Sequence, residues 1–470
     1  TINNIDIGGT VVTKADSTTG LTINVQSAVV NANDVLNVQF DKTGGVLAMG
    51  NLTAANVETI NLDVSDTATN GSAANIHTVT LVATAAKSVT LSGNNGVNVT
   101  NTGNTAITSF DASGIVANNT TASAGVAPTT DTAANLGVTF ASANTTASAN
   151  VTIKGGAGND SLTGNASIDN ITGGAGDDVI QGQAGADTLD GGEGTADVLS
   201  YADVTGATAH SLTNVSGMAI NLSASEVSAA TIATEMGGTV VIGGGAGVAG
   251  SALAAGSAGY LASTAANSTD TMVRDTVSNF EQVVGSSLAD YIAGSDNGDI
   301  ITGGDGIDHI VLGSGTDELK LGANVAATDN DVITNFSTTD RITLDKSDYG
   351  LNGTATADAD NTAIAGGTYY EGAAGAAVAA TAYDVMVLTG ASYADVGAAE
   401  DAVAARMTSN TDAFIIFHDT GTNTAQMFYD ADVGTDDGLT GTSAVMTFNG
   451  VADVTALGNL FSTANFELIA

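Results

Sequence analysis

Two runs of evenly spaced aspartates are the part of this chain best suited to chemistry. Asp160, Asp169, Asp178 and Asp187 fall nine residues apart, and Asp290, Asp299, Asp308 and Asp317 repeat that spacing further on. Two residues after each comes an aliphatic: Leu162, Ile171, Ile180 and Leu189, then Ile292, Ile301, Ile310 and Leu319. A glycine-rich hexad leads into the aspartate, as in "GGAGND" at 155–160. Glycine reaches backbone angles closed to other residues, so such a hexad can turn tightly and present its carbonyls. The three-residue tail is a minimal strand whose central aliphatic points inward. Two repeats then complete one coil, and residues 18 apart stack.

Stacked coils place carboxylates about 5 Å apart, the spacing of neighbouring strands, and they cannot all stay ionised without a cation between them. The chain contains no cysteine and four histidines, so a metal would be held by oxygen or imidazole rather than thiolate. Calcium, with six to eight oxygen ligands in flexible geometry, suits carbonyl and carboxylate donors better than magnesium, which wants a tighter octahedron.

The composition agrees. Fifty acidic residues face nine basic ones among 470, a formal net charge of -41. A compact state with that charge repels itself unless counter-ions bind, and nucleic acid or an anionic membrane surface is excluded as a partner. There are 59 glycines, one proline and only 4% aromatics, while charged residues reach 13% and mean hydropathy is +0.20. That excludes a solvated disordered chain and predicts an ordered, β-rich, thin-cored protein. The uncharged stretch 237–269 is too poor in large apolar residues to span a membrane. The chain starts at "TINNIDIGG" without Met or a signal peptide, as a fragment or processed product would.

These motifs must be positioned by strands. Residues 1–153 contain short Val-, Thr- and Ile-rich runs with period-two alternation, such as "DVLNVQF", "VETINLDV" and "HTVTLVA". A sandwich and a parallel β-solenoid both suit such runs, and the repeats that follow favour the solenoid. The reading divides the chain into an all-β solenoid at 1–153, a β-roll block at 154–200, a β-rich insertion with a Gly/Ala loop at 201–284, a second roll block at 285–345, and a C-terminal capping domain at 346–470. A short helix is expected near Ser225–Met236. Another follows Ser392, which is expected to cap it, with Asp395 three residues on and Tyr393, Val396, Val403 and Met407 on one face.

The nonapeptides resemble the calcium-binding repeats of RTX exoproteins. "GGAGNDSLT", "GGAGDDVIQ" and "GGDGIDHIV" fit in full, "GNASIDNIT", "GQAGADTLD", "GSSLADYIA" and "GSDNGDIIT" are degenerate, and "GGEGTADVL" carries one extra residue that moves its aspartate to Asp197. The resemblance implies several calcium ions. It pairs Asp160 with Asp178, Asp169 with Asp187, Asp290 with Asp308, and Asp299 with Asp317, and Asp178 also with Asp197. It implies further ligands at Gly156, Gly158, Gly174, Gly176, Gly185, Gly304 and Gly306. "YDADVGTDDG" offers Asp430, Asp432 and Asp436 as another calcium site or, equally, an acidic surface turn. The terminal "NFELIA" is similar to the C-terminal signal read by a type I secretion exporter.

Other signals carry less. "GAGVAG" at 245–250 meets the dinucleotide fingerprint but lacks a βαβ setting. His77, His210, His309 and His418 are scattered, with no HExxH, and His309 is expected to be solvated. No G-x-S-x-G elbow occurs. The chain therefore reads as a non-enzyme. It is most similar to the C-terminal part of Gram-negative surface-layer proteins of the Caulobacter and Campylobacter type. That implies a secreted, cell-surface protein with copies of itself as partners, and a lipopolysaccharide anchor through a region preceding residue 1. An RTX adhesin, or the secretion region of a hydrolase whose catalytic domain lies upstream, are the alternatives.

Overall fold

The computed structural model describes residues 1–26, 33–41, 46–65, 76–117, 131–144, 150–206, 215–237, 241–242, 252–262, 274–321, 330–349, 351, 369–373, 383–404, 412–431, 433 and 444–469. The chain is mostly β, built of parallel stacked strands with few helices. It divides into two compact units, 1–200 with 273–282, and 201–272 with 283–470. The first thus holds the 1–153 region and the first repeat block. The second holds the second block and the C-terminal region.

In the first unit the chain alternates between two parallel sheets, laying one strand in each per coil. One sheet runs from Thr10–Thr13 through Val35–Phe40, Thr59–Val64, Ser88–Gly93, Ser109–Ile115, Val151–Lys154, Asp169–Ala175 and Thr188–Glu193 to Arg274–Ser278. From the second strand on, its register aligns one inward position of each coil: Leu36, Ile60, Val89, Phe110, Ile153, Ile171, Leu189 and Val277. The other sheet aligns Val79, Val99, Phe140, Leu162, Ile180 and Leu199 in the same way. Each of these side chains is no more than 3% exposed, so each contributes roughly 1.5–3 kcal/mol of apolar burial. Phe110 and Phe140, one from each sheet, stack with ring centroids 3.9 Å apart and fill the layer between them. Stacking at 18 residues holds within the repeats, as Leu162 on Ile180 and Ile171 on Leu189 show. The earlier coils are longer and unequal, because their loops carry no fixed hexad.

The second unit continues the pattern. Tyr291–Ala293, His309–Val311, Asp331–Thr334 and Ala444–Phe448 stack in parallel, as do Ile300–Thr302, Glu318–Lys320, Arg341–Asp345 and the terminal Phe466–Ile469. Antiparallel pairing also enters in this unit. Ala413–Asp419 pairs with Thr424–Asp430, which pairs with Ala444–Phe448. Val215–Asn221 pairs with Ser257–Ala262.

The expected helix near 225–236 is Ala229–Glu235, capped by the Ser228 side chain. The helix after Ser392 is Val396–Ala404, and its Val396, Ala399 and Val403 pack with Met386, Leu388, Phe417 and Phe428. Ser392 is not its cap. Asp395 is, accepting from the Ala398 N–H at 2.9 Å. Ser392 instead pairs its hydroxyl with His418 Nδ1 at 2.8 Å. The helix starts later than the capping-box spacing implied because the strand Val385–Tyr393 runs through Ser392. Met407 lies outside the described residues.

Candidate metal centre

Each repeat aspartate stands where a turn ends and a strand begins. Three bonds hold Asp160, the first acid on its edge. Its Oδ2 accepts from the Gly156 N–H of its own turn at 2.6 Å, and its Oδ1 accepts from the Val138 N–H one coil before at 2.6 Å. Its own N–H donates to Asp178 Oδ1 one coil later at 2.7 Å. The same bond then recurs from coil to coil. On that edge Asp178 donates to Asp197 at 2.8 Å, and Asp197 to Glu281 at 3.0 Å. On the other edge Asp169 donates to Asp187 at 2.8 Å, and Asp187 to Asp275 at 2.9 Å. In the second unit Asp290 donates to Asp308 at 2.8 Å and Asp308 to Asp331 at 3.0 Å. There Asp299 donates to Asp317 at 2.9 Å and Asp317 to Asp340 at 3.0 Å. The structure therefore brings together all five pairs that the resemblance implied. It joins them through a backbone N–H and a carboxylate, which leaves the second carboxylate oxygen for another partner.

Packing these acids together costs free energy. All of Asp160, Asp169, Asp178, Asp187, Asp197, Asp290, Asp299, Asp308 and Asp317 are at most 2% exposed. Burial pushes the Asp187 carboxyl up to about 9, aided by the charge of Asp275. Burial lifts Asp178 to about 8, with Asp160, Asp197 and Asp177 adding to the rise. Asp160 goes to about 7, and Asp169 and Asp317 to about 6, each through loss of water and against the pull of backbone N–H donors. Asp197 and Asp290 are raised for the same reason. The Oδ2 atoms of Asp178, Asp187, Asp197 and Asp317 are buried with no hydrogen-bond partner. A buried carboxylate oxygen without a donor or cation is unfavourable by several kcal/mol.

These donors fit calcium. They are all oxygen, and those of Asp178, Asp187, Asp197 and Asp317 are unsatisfied where the turns stack. Among the described residues no three His, Asp or Glu side chains converge on one point, so backbone carbonyls must supply much of any coordination shell. The turns provide them. Gly174 holds φ +123 and Gly176 φ +117, angles that L side chains rarely adopt. A Cβ on Gly174 would run into the Gly156 carbonyl one coil before, and one on Gly176 into the Gly158 carbonyl. Gly185, Gly304 and Gly306 also take positive φ, whereas Gly156 and Gly158 in the first turn do not. The repeat aspartates with these turn carbonyls are thus the residues that would hold calcium.

Four acids in the ladder escaped the sequence reading: Asp275, Glu281, Asp331 and Asp340. None follows a glycine hexad. Their shared signal is an acid two residues before an inward aliphatic, namely Val277, Val283, Ile333 and Ile342. Asp430, buried at the end of the strand Thr424–Asp430, faces Ala413 across the sheet, while Asp432 and Asp436 lie outside the described residues. His309 is not solvated as expected. Its side chain is 15% exposed and sits 4.0 Å from Glu235, because the strand carrying it packs beneath the helix Ala229–Glu235. His77 is a buried ladder member, its Nδ1 accepting from the Leu47 N–H at 2.9 Å. His210 and residues 243–250, which contain the whole glycine-rich fingerprint, lie outside the described residues.

Among the described residues, no helix is long and apolar enough to cross a membrane. No curated protein matches the chain. Residues 148–166, 163–195 and 284–319 match the RTX calcium-binding nonapeptide repeat, in four copies. These segments hold the repeat aspartates from Asp160 to Asp187 and from Asp290 to Asp317, while Asp197, Asp275, Glu281, Asp331 and Asp340 of the ladder lie outside them, and the chain thus carries RTX calcium-binding nonapeptide repeats in two blocks.

Proposed function

We propose that this chain is a structural, non-enzymatic surface-layer protein that folds on meeting calcium outside the cell and assembles with copies of itself into a two-dimensional lattice. The observation that carries the reading is the ladder of buried carboxylates with unpartnered oxygens. Proteins with such repeats are typically secreted. Where free calcium is scarce, the ladder acids oppose closure of the turns and the chain stays open for a type I exporter. Calcium supplies the positive charge that lets the carboxylates ionise in place, and its binding free energy becomes folding free energy. A site at 100 times its dissociation constant contributes about 2.7 kcal/mol, so several sites decide the folded state.

The C-terminal strand fits this order of events. Phe466–Ile469 lies parallel to Arg341–Asp345, and Glu467, 1% exposed, pairs with Arg341 Nη1 at 3.2 Å. The segment similar to an export signal is therefore open to a receptor only before the second roll closes. Composition and the parallel solenoid motivate the surface-layer reading, and an adhesin or the secretion region of a hydrolase remain the alternatives.

The test is electron microscopy of the purified protein with millimolar calcium and with chelator. Ordered two-dimensional arrays only with calcium support the reading. Monodisperse particles in both conditions refute assembly.

A further inference from the structure

We infer that the N-terminal solenoid holds one more divalent-cation site, at Asp34 and Glu58, outside the residues that match the repeats. It extends the calcium reading of the ladder to coils with no glycine hexad. Register carries the comparison. Leu36, Ile60, Ile171 and Leu189 occupy one inward column, so the residues two before them, Asp34, Glu58, Asp169 and Asp187, share one position in their respective coils.

The backbone bonds agree as well. In the repeats, the acid of one coil donates its N–H to the acid of the next, and its carbonyl accepts from the residue that follows that next acid. For Asp187 and Asp275 these bonds are 2.9 Å to the Asp275 carboxylate and 2.8 Å from the Thr276 N–H. The Asp34 N–H likewise donates to Glu58 Oε2 at 3.0 Å, and the Asp34 carbonyl accepts from the Thr59 N–H at 3.0 Å.

That arrangement alone does not call for a metal. Leu47 and His77 use it with an imidazole as acceptor. What sets Asp34 apart is its own side chain. It is 0% exposed, and both carboxylate oxygens are buried with no hydrogen-bond partner. Val138 uses its N–H to satisfy the first acid of its column, Asp160, and Asp34 receives no such bond. Two bare carboxylate oxygens beside a second carboxylate need positive charge, and two side-chain carboxylates completed by carbonyls or water suit calcium. The next residue in the column is Lys87, followed by Thr108 and Val151, so the acids stop at Glu58 and the site is confined to the first two of these coils.

The test is a crystal of the full chain grown with calcium, then exchanged with terbium and read by anomalous scattering. The result expected is a peak on the Asp34 carboxylate at about 2.3–2.6 Å from its oxygens, lost in Asp34→Asn while the peaks on the repeat turns remain. Peaks on the repeats with none at Asp34 overturn this inference and leave the calcium reading of the repeats intact. No peak at either place overturns both. In solution, equilibrium dialysis should count one calcium fewer per chain for Asp34→Asn than for the parent, and equal counts overturn the inference.

Discussion

Replacing Asp187 with Asn should change stability in opposite directions with and without calcium. Asp187 is 1% exposed, its Oδ1 accepts from the Asp169 N–H, and its Oδ2 has no partner. Asparagine keeps an oxygen for that N–H and removes the charge. Without calcium at about pH 7.5, a carboxyl lifted to about 9 from 3.8 must take up a proton on folding. At 1.36 kcal/mol per unit that opposes folding by about 5 kcal/mol, which screening by residual solvent cuts to about 2. Relief of this term should raise the melting temperature of the calcium-free protein by about 4–8 °C. With calcium at 100 times the dissociation constant, loss of the site removes about 2.7 kcal/mol and should lower the melting temperature by about 5–10 °C. Scanning calorimetry in chelator and in calcium reads both. Shifts of the same sign in the two buffers would refute the claim that Asp187 is costly alone and stabilising with an ion.

Protons should act as a weak substitute for calcium. Burial raises the ladder carboxyls above 3.8, to between about 6 and about 9 where a figure is resolved. Their contribution to the calcium-free roll is therefore present below about pH 4 and lost as pH climbs through that range, so denaturant midpoints in chelator should fall from pH 5 to pH 9. With calcium the dependence should reverse, because protons compete for the same oxygens, and a flat profile in both buffers would count against it. Gly176→Val forces a β-branched residue to φ +117 and into the Gly158 carbonyl, so it should lower stability by about 2 kcal/mol or more and weaken calcium binding in a titration followed by circular dichroism. Arg341→Met removes the partly buried ion pairs of Arg341 with Glu467 and Glu318, and should destabilise the second unit by about 3–5 kcal/mol in urea melts. Wild-type midpoints for that variant would mean the terminal strand is not held by the pair with Glu467.

The nonapeptide turns were legible because turn, ligand and core are all encoded within nine adjacent residues. Asp160 to Asp178 and Asp290 to Asp308 needed only spacing. The ladder's far members were not legible, since Asp275 reaches Asp187 across 88 residues and only the stacking of Val277 on Leu189 puts them together. Asp34 and Glu58 were hidden for a related reason: their coils differ in length from the repeats, so no fixed period marks them. The cap of the helix Val396–Ala404 was misplaced because a strand extends through Ser392 and takes its hydroxyl to His418. Local pattern placed the elements well and tertiary register poorly, as is usual where partners come from distant coils.

Backbone amide exchange at the ladder aspartates tests the dependence of the turns on calcium most directly. Peptides covering 154–200 and 285–345 should be strongly protected in millimolar calcium and exchange within seconds once the ion is chelated, as the donated N–H groups of Asp160, Asp169, Asp290 and Asp299 lose their acceptors. Protection that is unchanged by chelator in both segments would show that the crowded carboxylates close the turns without a metal.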